Sequence, residues 1–333
     1  MGKRVCAAAA ALGLALGLIL PVSAAQPETL VPVGRTVALE LETDGLYVVG
    51  FETGARDSPA EAAGLQTGDR LLSVDGQALD GAETLRELAE RAEGRPLLLG
   101  IERGGRRLQI EVRPAERDGA ARLGIRVRDR ISGLGTVTFY DPASGLFGAL
   151  GHGVNGGDGC PLEIRGGSAC EAAVTEIRRG AVGTPGSLLG QRAEPEALGT
   201  VEQNTPRGLF GHAEGGLAEG TPVPLAAGSE VTTGPAELLC SVDGAAPERY
   251  AVEIEAVRFD PDACRDLRLL VTDPRLLAST GGIVQGMSGS PILQNGKLVG
   301  AVTHVLVRDP TRGYGILIGH MLEAAETTGD EAA

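Results

Sequence analysis

The chain has 333 residues, 42% of them hydrophobic, with 51 glycines, 3% aromatics and a formal net charge of -14. That length suits about two domains with real cores, and so much glycine beside so few rings predicts tight turns around small-residue β-structure. The acidic balance, with no basic cluster, excludes a nucleic-acid partner, because neutralising phosphates needs a surplus of Lys and Arg.

Residues 1–25 read as an export signal. Lys3-Arg4 make a positive start, Val5 to Leu20 an apolar core, Pro21 a break, and Val22-Ser23-Ala24 a small-x-small cleavage site. A retained membrane anchor is the alternative, since the apolar run is slightly short of a ~20-residue span. Either way the bulk of the chain is expected outside the cytoplasm. Cys6 lies inside the apolar core without a lipoprotein context. The remaining Cys160, Cys170, Cys240 and Cys264 allow three pairings, with the local pairs Cys160–Cys170 and Cys240–Cys264 preferred in an oxidising location. No CxxC or HxxxH accompanies them, so no metal is expected, and no cofactor motif is present.

Between 37 and 114 come an alternating run Val37 to Thr43, then Gly45-Leu46-Tyr47-Val48-Val49-Gly50-Phe51, Ser58-Pro59-Ala60 to Leu65, and Gly68-Asp69-Arg70-Leu71 leading to Val74-Asp75-Gly76. A helical stretch Ala82 to Arg91 follows. Two strands, Leu97 to Ile101 and Leu108 to Val112, flank a Gly104-Gly105 turn. This ordered set resembles a PDZ domain of the kind attached to bacterial proteases. The resemblance implies β-augmentation, in which an extended peptide joins a sheet edge. It places the carboxylate loop at Gly45, Leu46, Tyr47 and Val48. A small β-domain that only packs on its neighbour is the plainer alternative.

Residues 115–121 are polar and Ala-rich and read as a linker. From 122 to 323 short strand-like runs alternate with Gly, Pro and Asp, and only the last dozen or so residues look helical. That pattern predicts a sandwich or barrel.

The stretch Gly286-Met287-Ser288-Gly289-Ser290-Pro291 is similar to the nucleophile loop of a chymotrypsin-type serine peptidase. The N–H groups of Gly286 and Ser288 are expected to form the oxyanion hole, where each donor is worth roughly 3 kcal/mol. Ser290 is the alternative nucleophile. A serine needs a base, and the base needs an orienting partner. His152, at a strand end in Leu150-Gly151-His152-Gly153, is the candidate base, with His212 in Phe210-Gly211-His212 as the alternative. His304, sixteen residues beyond Ser288, reaches the strand walling a substrate pocket. His320 in the closing helix is expected to face solvent. Asp273, ending the strand Leu267 to Thr272, is the candidate orienting acid, and an Asp-Pro turn is its plainer role. The order His152, Asp273, Ser288 suits the chymotrypsin arrangement and disfavours GxSxG hydrolases.

Gly135-Thr-Val-Thr-Phe-Tyr-Asp-Pro142, Phe147 to Gly153, Thr233 to Glu237, Val271-Thr-Asp273, Thr280 to Pro291 and Gly300-Ala-Val-Thr-His304 together resemble the stage IV sporulation protein B serine peptidases over roughly 37–323. The resemblance implies a mostly β fold, a PDZ domain followed by a trypsin-like double β-barrel. It also implies a triad matching His152, Asp273 and Ser288. The implied task is regulatory cleavage, in the space between two membranes during sporulation, of a membrane-bound regulator of an intramembrane protease, together with self-cleavage. The PDZ domain would take a peptide or the enzyme's own N-terminal segment. Two departures stand out. Met287 replaces the aspartate that answers a new N-terminus in digestive enzymes, and Gly319-His320 stands where the family carries bulkier acidic and aromatic residues. The competing class is a non-catalytic PDZ-containing envelope adaptor; a disulfide-rich structural protein fits less well, since four cysteines are few for this length.

Overall fold

The computed structural model describes residues 27–52, 58–117, 119–156, 159–217, 220–244, 246–258 and 264–327. The expected export signal lies outside these. Among the described residues no helix is long and apolar enough to cross a membrane.

The chain opens with β1 (Thr29–Pro32) and β2 (Thr36–Phe51). Helix α1 (Pro59–Ala62) starts at Ser58, whose hydroxyl accepts from Glu61 N at 3.3 Å, with Pro59 in the first helical position, where a missing N–H costs nothing. Next come β3 (Arg70–Val74), β4 (Gln77–Ala78), α2 (Ala82–Arg91), β5 (Leu97–Arg103) and β6 (Arg106–Val112). Helix α2 turns Leu85 and Ala89 inward onto Leu46, Leu71, Leu99 and Ile101. Where the sequence predicts a linker, β7 (Ala115–Arg117) pairs with β8 (Ala120–Arg122) as a hairpin.

The first barrel uses β9 (Ile125–Tyr140), β10 (Leu146–Ala149), β11 (Ile164–Arg178), β12 (Ser187–Thr205) and β13 (Gly208–Ala213). They pair in the order β9-β10-β13-β12-β11-β2, and β2 pairs back onto β9 to close the ring. A short β14 (Val223–Pro224) pairs with β1. The second barrel closes as β15-β16-β17-β20-β19-β18, from β15 (Gly234–Cys240), β16 (Glu248–Val257), β17 (Leu267–Val271), β18 (Pro291–Gln294), β19 (Lys297–Val305) and β20 (Arg312–Leu317). Helix α3 (Pro274–Thr280) lies between β17 and β18, and α4 (Ile318–Thr327) closes the chain. Leu238, Ile254, Leu267, Leu269 and Ile292 fill the second barrel with no more than 0% exposure, each such burial worth ~1.5–3 kcal/mol. The expected mostly β fold, a PDZ-like layer with a double barrel, is present.

The two layers share strands. Residues 36–42 of β2 pair with 136–130 of β9, and 47–51 of β2 pair with 128–125 of the same strand. Both strands therefore start or end in the barrel and cross into the PDZ layer. The PDZ layer lies in the chain between the barrel halves of β2 and β9, and the remaining barrel strands follow it. The boundaries at 37–114, 115–121 and 122–323 do not hold physically: Val37 and Leu39 sit in the first barrel's core, and Leu123 is buried in the PDZ cluster with Ile125 and Val127 against it.

The preferred disulfides Cys160–Cys170 and Cys240–Cys264 are not formed. Cys170, Cys240 and Cys264 are buried thiols, and burial pushes that of Cys240 up to about 12.

Candidate active site

The nucleophile loop is delivered by α3. Asp273 caps this helix, accepting from Arg275 N at 2.8 Å, and Gly281 ends it in the left-handed conformation at φ 77. The chain then turns through Gly286 (φ 99) and Gly289 (φ 96) on either side of Ser288. A side chain at Gly289 would collide with the carbonyl of Thr136, so this glycine permits close approach to β9 as well as the turn. Among the hydrogen bonds of the described residues, neither the Gly286 nor the Ser288 N–H has an acceptor. Both donors expected for an oxyanion hole are therefore unengaged among the described residues.

His152 follows β10 across Leu150 (φ 68) and Gly151 (φ 68). Its Nδ1 lies 2.9 Å from the carbonyl of Gly153. A carbonyl only accepts, so Nδ1 carries the proton and Nε2 stays free to take one. Burial holds the imidazole below its ordinary value of 6.5, outweighing the Gly153 bond that favours the charged form. His304 stacks beside it, ring centroids 4.9 Å apart and tilted by 34°. Burial first, then the neighbouring His152 and Arg265, push His304 down to about 4. Its Nδ1 is buried without a partner among the described atoms.

Ser288, His152, His304 and Gly286 line one cavity of about 450 Å³, whose other walls include Leu41, Leu134 and Ile283. In this state the Ser288 hydroxyl donates to Thr303 O at 2.8 Å.

The SpoIVB peptidase S55 family profile matches residues 119–322. The chain belongs to the SpoIVB peptidase S55 family. A PDZ domain profile matches residues 50–103 of this S55 peptidase. It is similar to a putative zinc metalloprotease of Bartonella henselae (38% identical over 82 residues; 24% of this chain and 22% of that one). The zinc metalloprotease RasP of Shouchella clausii is 33% identical over 107 residues, 28% of this chain and 25% of that one. The putative serine protease HhoA of Synechocystis is 37% identical over 76 residues, 22% of this chain and 18% of that one. The chain thus spans about a quarter or less of the curated relatives it matches. Among solved structures it is similar to the Rv3671c protease in its inactive form (18% identity, TM-score 0.36, 60% of this chain and 85% of that one). A PDZ domain of an SdrC-like protein from Listeria monocytogenes matches at 21% identity and TM-score 0.23, over 26% of this chain and 90% of that one.

Within the S55 peptidase, the expected triad is brought together only in part. His152 and Ser288 share the cavity, but Asp273 belongs to the second barrel and is occupied elsewhere. Its carboxylate accepts from Arg275 N, from the Arg275 guanidinium at 3.1 and 3.2 Å, and from Ala251 N at 3.2 Å. The Arg275 bonds hold it down to about 2. As an N-cap tied to a guanidinium, Asp273 orients α3 and makes no hydrogen bond to His152. His212 faces outward on β13, with Nδ1 3.0 Å from Glu202. His320 does not face solvent freely; its Nδ1 lies 2.9 Å from the buried Asp266. Ser290 is fully buried and donates to Met287 O at 2.7 Å, which removes it as nucleophile.

Sequence reasoning missed Asn204. Its Oδ1 accepts from Val154 N at 2.9 Å, and its Nδ2 donates to Val154 O and Leu162 O at 2.8 and 2.9 Å. Gly153 N donates to Pro206 O at 3.1 Å. These bonds fix the turn that supplies the carbonyl partner of His152. An Asn in Gln203-Asn204-Thr205-Pro206 reads as ordinary turn chemistry, so the sequence carried no distinguishing signal.

The segment expected as the carboxylate loop is paired on both sides. Gly45, Leu46, Tyr47 and Val48 lie in or beside a paired part of β2, with Leu46 and Tyr47 against β3 and Tyr47 and Val48 against β9. Gly45 presses on Leu71 O, where a Cβ would sit 2.6 Å away, and the Tyr47 hydroxyl accepts from Glu163 N. Tyr47 and Val48 line one cavity of about 260 Å³ with Thr43 and Arg128, and a second groove runs between α2 and the start of β9, lined by Leu85, Ala89, Leu123, Gly124, Ile125 and Val127.

Proposed function

We propose that this S55 peptidase is an exported serine endopeptidase making limited, regulatory cleavages. The observation that supports this best is the shared cavity of Ser288 and His152 with free N–H groups on Gly286 and Ser288 beside it. Ser288 rotates off Thr303 O, His152 Nε2 takes its proton, and Oγ attacks the scissile carbonyl. The resulting oxyanion settles between the Gly286 and Ser288 donors. The imidazolium keeps its Nδ1–H on Gly153 O, the place an acid holds in other triads, and passes the Nε2 proton to the leaving amine. Water then repeats the sequence on the acyl-enzyme. His304, neutral at pH 7, touches substrate on the cavity wall.

The protein substrate in this reading is a membrane-bound regulatory protein, with the enzyme itself as a second target, and the sporulating cell's intermembrane space is the place of action. Residues 1–25 support export. The PDZ layer takes an extended peptide on the free edge of β9 beside α2 rather than at Gly45 to Val48. The test is fluorophosphonate labelling of residues 26–333, located by mass spectrometry. Labelling at Ser288 that disappears in Ser288→Ala supports the enzyme. The bonds of Ser288 to Thr303 and of Asp273 to Arg275 favour a second reading, a non-catalytic envelope adaptor, and an unlabelled wild type would select it.

A further inference from the structure

One residue of the first barrel holds both halves of the site. Thr136 lies on β9 and is fully buried. Its hydroxyl donates to Gly286 O at 2.8 Å, and its N–H donates to Ser288 O at 2.9 Å. Its own carbonyl accepts from Leu150 N at 3.2 Å, two residues before His152. The peptide joining Gly286 to Met287 is pinned at its other end too, because Met287 N donates to Val284 O at 3.1 Å. That peptide sits between the two oxyanion donors. Were it to flip, the Gly286 and Ser288 N–H groups would no longer converge.

We infer that Thr136 is the positioning residue of the oxyanion hole, setting the nucleophile loop through its hydroxyl and N–H and the approach of His152 through its carbonyl. This rests on the peptidase reading of Ser288. The hydroxyl is the separable part, since any residue supplies the backbone bonds. Thr138, two positions along the same strand, is also fully buried, and its hydroxyl has no partner among the described atoms. It is a built-in control.

Thr136→Val removes the hydroxyl at nearly constant volume, Thr136→Ser keeps it, and Thr138→Val makes the same change away from the loop. The first readout is fluorophosphonate inactivation, resolved into a maximal rate and a half-saturating concentration. Loss of one well-placed donor costs about 10²–10³-fold in such sites. Thr136→Val is expected to lower the maximal rate by at least about tenfold with half-saturation unchanged, while Thr136→Ser and Thr138→Val stay close to wild type. The second readout is hydrogen exchange in the peptide spanning 284–289, which is expected to speed up only in Thr136→Val. Should that protein not fold, Thr136→Cys, of similar size with a weak donor, carries the same expectations. Wild-type rate and exchange in the hydroxyl-free variant would overturn the inference, as would faster exchange with an unchanged rate. An unlabelled wild type would sink the peptidase reading instead, and exchange would still decide whether Thr136 ties the loop.

Discussion

The second barrel closes on six strands of its own, while the first closes only by using β2 and β9, each of which runs on into the PDZ layer. Ser288 and Gly286, the proposed nucleophile and oxyanion donor, come from the self-contained barrel. The histidine comes from the shared one. Asp273 sits on the serine's side, capping α3, and His152 is hydrogen-bonded instead to Gly153 O, in a turn held by the Asn204 side chain. In the proposed mechanism the nucleophile is thus carried by a barrel closed on its own strands, and the base by one that shares strands with the PDZ layer.

The sharpest way to break this division is at the base. His152→Ala is expected to lower fluorophosphonate labelling by roughly 10²–10⁴-fold. In the wild type only the neutral imidazole works, and burial lowers its pKa, so labelling should fall with acid only below the ordinary histidine value of 6.5. An acid limb at or above that value would contradict a buried base. The next test separates the two candidate orienters. Asn204→Ala loosens the Gly153–Val154 turn and is expected to cost on the order of 10²-fold in labelling rate. Asp273→Ala is expected to cost about 1 kcal/mol of stability through the lost cap while leaving the acid limb of labelling in place. Asp273 ionises at about 2 when folded, below its ordinary 3.8. Its stabilisation is therefore present above pH 3.8 and lost as pH falls toward 2, a dependence that thermal melts of Asp273→Ala should lack. A shift of the labelling limb in Asp273→Ala would return the aspartate to the triad. The smallest expected effect is at the groove. Val127→Glu should weaken a fluorescent peptide with an apolar C-terminus about tenfold, by placing charge on an apolar lining, and Tyr47→Phe should leave its affinity unchanged; the reverse result would restore the loop at Gly45 to Val48.

Much of this was legible in the chain. The Gly286 to Pro291 spacing pointed to the turn around Ser288, because only a few residue types allow that turn, and short runs between Gly, Pro and Asp predicted most strands. Helix α3 was not, since its seven residues are too few for periodicity to show. Asp273 misled for a physical reason: a carboxylate before Pro at a strand end suits an N-cap and a triad equally, and only the Arg275 guanidinium decides. The linker failed because polar, Ala-rich residues also fit a hairpin. The shared strands escaped because β2 reads as two runs, Val37 to Thr43 and Gly45 to Phe51, whose alternation changes phase between them. Thr136 was visible only as one of several small residues in Gly135-Thr-Val-Thr.

The shared strands have a consequence for dissection. Excising residues 37–114 would remove a barrel stave along with the PDZ layer, and a fragment beginning at 122 would inherit β9 with no β2 beside it. The peptidase cannot be trimmed to a smaller working unit by cutting at the boundaries read from the sequence. A version without the groove would have to keep the 36–43 half of β2 and bridge it directly to residue 129.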